Sequence, residues 1–88
     1  MNHPDVILGS EIKSILGSTL QLGDRVIRLR EDTPLIGYLP ELDSMAIVSV
    51  ITALENHYGF TIEDDELTAE TFETLGSLTA FVSRKLAR

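Results

Sequence analysis

Ser44 stands directly behind an aspartate, Asp43, where a Pro40-containing loop gives way to a long apolar helix. A hydroxyl there lies at a helix N-terminus, where unpaired backbone N–H groups and the macrodipole favour a negatively charged group. A hydrolytic role for this serine fails on spacing. Leu42 and Ala46 occupy the positions that the Gly-x-Ser-x-Gly turn of the α/β-hydrolases reserves for glycine. His57 falls on the same helix, roughly 20 Å further along its axis, and His3 sits at the terminus. Taken by itself Ser44 reads as an N-cap, a common structural role, with Asp43 as a second capping group. The other cluster of chemical interest is Glu63-Asp64-Asp65-Glu66. An EF-hand calcium loop wants glycine at its sixth position, and Thr68 stands there. The run therefore reads as a solvated acidic stretch, and no metal ligands are assigned.

The elements that position Ser44 follow from periodicity and capping. Residues 4–20 predict a first helix, with Pro4 in its first turn, Asp5 at the favourable dipole end, and Leu8, Ile12, Ile15 and Leu16 on one face. Gly17 or the Gly23-Asp24 region ends it. Residues 21–43 form a long connection. Arg25–Arg30 alternates in part, but with no strand to pair with it reads as extended loop or a stray helical turn. Leu35, Ile36, Tyr38 and Leu42 are expected to pin this connection to the core. Residues 44–58 predict the clearest helix, with Ile47, Val50, Ile51, Leu54 and Tyr58 inward and Met45, Val48, Ser49, Thr52 and Glu55 outward. His57 is expected to face solvent on its last turn. Gly59 is placed to end it in the left-handed conformation, after which Phe60 and Ile62 return to the core. Thr68 is expected to cap a short helix over 69–72, with Phe72 inward. Thr74 caps a last helix running to about Leu86, whose apolar face is Leu75, Leu78, Phe81, Val82 and Leu86. Arg84, Lys85 and Arg88 lie at its cation-favouring end.

With 88 residues the chain makes one domain, 1–88. It has no cysteine, which excludes disulfides and thiolate metal sites. No apolar run approaches a membrane span, and the N-terminus lacks a basic leader, so a cytoplasmic monomer is expected. The net charge of −7 is unevenly spread: residues 41–73 hold nine acids and no Lys or Arg, while residues 74–88 hold three bases and no acid. A one-signed middle third repels nucleic acid and steers towards basic partners.

Asp43-Ser44-Met45 resembles the Asp-Ser-(Leu/Met/Ile) tripeptide that opens the second helix of the acyl/peptidyl carrier protein family. The helix pattern after it and the Thr74-Leu75-Gly76 start of the last helix are similar too, so the resemblance covers roughly the last two thirds of the chain. It implies an all-α, orthogonal four-helix bundle with a long first loop and a short third helix. It also implies 4'-phosphopantetheine attached covalently to Ser44, bearing acyl groups as thioesters, with Asp43 helping the modifying enzyme hold its metal ion. The implied partners are a phosphopantetheinyl transferase, an acyl-activating ligase or acyltransferase, and downstream acyl-using enzymes; the chain itself would not be an enzyme. Met45, Val48, Thr52, Glu55 and Glu41 are the expected partner-contact residues. Two departures matter. Glu41 replaces the glycine that many carriers have three residues before the serine, and only Glu55 is acidic between Ser44 and Tyr58. The resemblance thus leans towards a specialised pathway rather than housekeeping fatty acid synthesis. An aminoacyl, peptidyl or D-alanyl carrier is the neighbouring alternative. An unmodified acidic helical interaction module is the alternative from another class.

Overall fold

The computed structural model describes residues 4–87, with side chains from Ile7 onward; His3, Arg88 and the Asp5 side chain lie outside the described residues. Three α-helices carry the fold: α1 (Pro4–Thr19), α2 (Ser44–Tyr58) and α3 (Leu75–Leu86). Two 3-10 segments join them, Gly23–Arg28 in the first connection and Asp64–Glu66 in the second. Among the described residues there is no strand, only an isolated bridge between Pro34 and Thr74. The all-α bundle with a long first loop is thus as expected, and α1 packs on both α2 and α3. The radius of gyration is 12.1 Å, against ~12 Å expected for a compact chain of this length.

The core forms where the apolar stripes meet. Leu8, Ile12 and Leu16 of α1, Val50 and Leu54 of α2, and Leu75, Leu78, Phe81 and Val82 of α3 are all buried. Ile47, Ile51 and Tyr58 pack against this cluster while staying partly exposed. The α3 stripe runs one turn past the core, so Leu86 is exposed rather than inward. α2 ends as its sequence requires: Gly59 takes φ 75°, and its N–H donates to the Glu55 carbonyl at 2.8 Å.

The first connection is folded, not free. Val26 of the 3-10 helix packs so closely on α1 that a Cβ at Gly17 would lie 2.8 Å from its methyl carbon. Gly17 therefore serves inside α1 rather than ending it. Further on, the Leu35 N–H donates to Glu73 O (2.9 Å), the Leu75 N–H to Thr33 O (3.2 Å) and the Gly76 N–H to Glu31 O (2.7 Å). These bonds zip residues 31–36 to the start of α3. There Thr74 and Ser77 form a reciprocal capping box, each side chain accepting the other's backbone N–H at 3.0 Å.

Two further expectations are corrected. Ile36 and Tyr38 do not pin the loop. The Leu39 N–H donates to Leu35 O, closing a helix-like turn that puts Leu35, Leu39 and Leu42 on one side and leaves Ile36 and Tyr38 outside. The short third helix is not at 69–72. The helical turn forms at Asp64–Glu66, where the Glu63 N–H donates to Glu66 Oε1 and a capping box closes. Thr68 caps no helix; its carbonyl accepts the Thr71 N–H in a simple turn, although Phe72 does point inward.

Candidate functional site

The approach to α2 is a run of tight backbone bonds. The Leu42 N–H donates to Leu39 O at 3.0 Å and the Asp43 N–H to Glu41 O at 3.1 Å. Pro40 fixes one φ angle within this turn. Asp43 then adopts an extended conformation (φ −93°, ψ −175°), and its Oδ1 accepts the Ala46 N–H at 2.8 Å. Asp43 is therefore the N-cap. Ser44 is the first residue within α2 and is exposed, so its expected capping role passes to its neighbour. The physical consequence is direct: one side chain satisfies the helix end, and the next offers a hydroxyl beside the positive end of the dipole.

The expected partner-contact residues divide into two groups. Met45, Val48 and Thr52 follow Ser44 at spacings of one, four and eight residues along α2 and are all exposed, Met45 by 75% and Val48 by 58%. The two carboxylates are engaged within the chain. Glu55 is half-buried and accepts the Ile62 N–H at 2.8 Å, tying α2 to the segment after Gly59. Glu41 pairs with the Arg25 guanidinium, and this hydrogen bond holds its carboxyl below the usual carboxylate range while raising Arg25. Ile36 and Tyr38 add exposed apolar surface on the preceding loop. No periodicity links Arg25 to Glu41, sixteen residues apart in an irregular connection, and the pair was invisible in the sequence.

Elsewhere, the acidic run is organised by a cation from α3. Lys85 Nζ donates to Glu66 Oε1 and Thr61 O, both at 2.7 Å, and lies 5.8 Å from the Phe60 ring centroid. At the far end of α2, Tyr58 donates to Glu11 of α1 at 2.8 Å; burial first, then this carboxylate, push its phenol pKa upward. His57 is exposed on the last turn of α2, as expected. Among the described residues no group of three or more His, Asp or Glu side chains is arranged to hold a metal ion.

The arrangement fits a phosphodiester-linked group. The hydroxyl of Ser44 is open to an approaching enzyme, stands on a fixed helix end and lies outside the capping interaction. Residues 10–82 match a family model described as a phosphopantetheine attachment site. The solution NMR structure of a holo acyl carrier protein from Nitrosomonas europaea is similar, with 52% sequence identity and a TM-score of 0.83, over 92% of this chain and 96% of that one. No curated protein matches.

Proposed function

This chain belongs to the acyl carrier protein family, a family of carriers with covalent 4'-phosphopantetheine, and on that premise we propose that Ser44 is the attachment residue and that the carrier serves a specialised acyl pathway. The observation that carries the assignment is the exposed hydroxyl at the first residue of α2, with Asp43 making the cap. In modification by a phosphopantetheinyl transferase, Ser44 Oγ loses its proton and attacks the pantetheine-side phosphorus of the coenzyme A pyrophosphate; the pyrophosphate P–O bond breaks, adenosine 3',5'-bisphosphate leaves, and the arm stays on Ser44 as a phosphodiester. Asp43 keeps the first turn of α2 in place and offers a carboxylate beside that oxygen. Once attached, the arm supplies a terminal thiol that holds an acyl group as a thioester. The carrier presents this cargo to separate enzymes and performs no reaction of its own.

The pathway reading rests on the outer face of α2. Its first turn has no acid, Met45, Val48 and Thr52 are neutral, and Glu55 is turned to the chain's own backbone. Partner enzymes then recognise this helix through apolar contact, and exposed acids elsewhere speed the encounter over distances that salt screens. Mass spectrometry tests both parts. Apo protein incubated with coenzyme A and a broad-specificity transferase gains one arm, and Ser44→Ala gains none. Protein from its own host carries a cargo other than the saturated chains of housekeeping synthesis. An unmodified wild type, or an arm on another serine, overturns the assignment.

A further inference from the structure

We propose that Arg25 and Glu41 form a clamp that positions Ser44 for modification, so that Arg25, nineteen residues before the serine, is a positioning residue for the carrier's own activation. The inference rests on Ser44 being the attachment residue.

The bonds run without a break from α1 to the serine. The 3-10 helix Gly23–Arg28 is seated on α1 by Val26 against Gly17, and Lys13 Nζ reaches the Ile27 carbonyl at 3.5 Å. Arg25 projects from this seated segment, with its Nε–H directed at the Leu22 carbonyl at 3.4 Å. Its guanidinium holds one carboxylate oxygen of Glu41. The backbone carbonyl of Glu41 accepts the Asp43 N–H, and the Asp43 carboxylate accepts the Ala46 N–H. Each of these groups fixes the next, and Ser44 lies between the last two.

Glu41 is also poorly placed without Arg25. Its other oxygen, Oε1, is buried and has no hydrogen-bond partner among the described residues. Pairing the other oxygen with a cation offsets the water that an ionised group loses where it is buried. Without Arg25 the side chain gains by swinging into solvent, and the turn at 39–43 loses its anchor. A glycine at position 41 would leave this turn with no side-chain anchor. Here Pro40 and Glu41 replace that freedom with a tether.

The test uses the apo protein with a broad-specificity phosphopantetheinyl transferase and coenzyme A, and reads two quantities. One is kcat/KM for modification by mass spectrometry; the other is amide hydrogen exchange at Asp43, Ala46 and Ile47 by NMR. Losing one charge-assisted hydrogen bond corresponds to roughly a tenfold change. Arg25→Gln is expected to speed exchange at Asp43 and Ala46 by about that factor and to lower kcat/KM comparably, with the urea midpoint of global unfolding unchanged. The charge-swapped double variant Arg25→Glu, Glu41→Arg is expected to restore both readings. A merely structural contribution would move the global midpoint and would not distinguish the swap from the single change. Unchanged exchange overturns the clamp. Faster exchange with unchanged kcat/KM overturns its positioning role. A fall in kcat/KM that the swap does not restore means that the transferase touches Arg25 itself, which also overturns it. A wild type with no arm on Ser44 sinks the attachment reading and the positioning role with it, whereas the exchange data still decide whether the pair holds the loop.

Discussion

Replacing Gly76 by alanine sets helix propensity against a backbone neighbour. In a helix interior the change favours folding by up to ~1 kcal/mol, and less in a first turn, where Gly76 lies. The added Cβ would lie 3.0 Å from the carbonyl oxygen of Glu31. That oxygen also accepts the Gly76 N–H at 2.7 Å, so it cannot withdraw without loosening the bond. Losing the bond costs about 0.5–1.5 kcal/mol, and forcing a methyl into filled space about 1–3 kcal/mol. The net expectation is a loss of roughly 1–3 kcal/mol. Gly9 supplies the control. It lies inside α1, and a Cβ there would sit 3.8 Å from Thr79 Oγ1, an ordinary contact, so Gly9→Ala should gain about 0.5–1 kcal/mol. In a domain this size 1 kcal/mol moves Tm by ~4–8 °C. Thermal melts followed by circular dichroism should therefore separate the two variants by about 6 °C or more, with opposite signs. Two alanines shifting Tm in the same direction by similar amounts would refute the argument that the Glu31 carbonyl, rather than propensity, dictates glycine at position 76.

Leu54 is fully buried on α2, so Leu54→Ala should destabilise by about 2–5 kcal/mol. The exposed Thr52→Ala should stay within about 0.5 kcal/mol, and equal effects in urea titrations would mean the helix faces are misassigned. Lys85→Met removes the cationic partner of a Glu66 side chain that is only 17% exposed, and should cost about 1–3 kcal/mol and speed exchange over 60–66; no loss of stability would place this pair with screened surface pairs. The raised pKa of Tyr58 favours its protonated form in the folded state. Its contribution to stability is thus complete below the unfolded tyrosine value of ~10 and is lost as pH rises above it. Tyr58→Phe should delete a late component from the near-ultraviolet absorbance titration of the folded protein. Deletion of an ordinary component instead would show that the Glu11 contact does not form.

The three α-helices were legible because each has a 3.6-residue apolar stripe and a residue whose chemistry marks an end: Asp43 or Ser44 before α2, Gly59 after it, Thr74 before α3. The connections were not, and the reason is physical. A six-residue 3-10 helix such as Gly23–Arg28 is too short to display a period. Its place is fixed by Val26 fitting against Gly17, a contact between distant residues. Leu20, Leu22, Leu29 and Leu39 are also buried, each in the irregular stretch between α1 and α2 where no pattern announces it. The short third helix was misplaced because Thr68 and Glu63 both carry capping chemistry. The reciprocal bond from the Glu63 N–H to Glu66, with Lys85 behind it, decides in favour of Asp64–Glu66.

The acidic middle third illustrates how far a charge count departs from a surface. Of the nine acids in residues 41–73, Glu41 is paired with Arg25, Glu55 accepts a backbone N–H, and Glu66 is paired with Lys85. Asp43 is committed to its cap through one oxygen. The exposed remainder, Glu63, Asp64, Asp65, Glu70 and Glu73, all comes from the connection between α2 and α3. The helix that begins with Ser44 therefore exposes a hydroxyl followed by Met45, Val48 and Thr52. On the proposed reading of α2, the charge that attracts a basic partner from a distance sits on a different segment from the surface that would touch it. Long-range steering depends on the summed field and falls with ionic strength, whereas an apolar contact at Met45 and Val48 does not. On that reading encounter rate and fidelity of docking are assigned to separate residues, so that a substitution on one segment should alter one without the other.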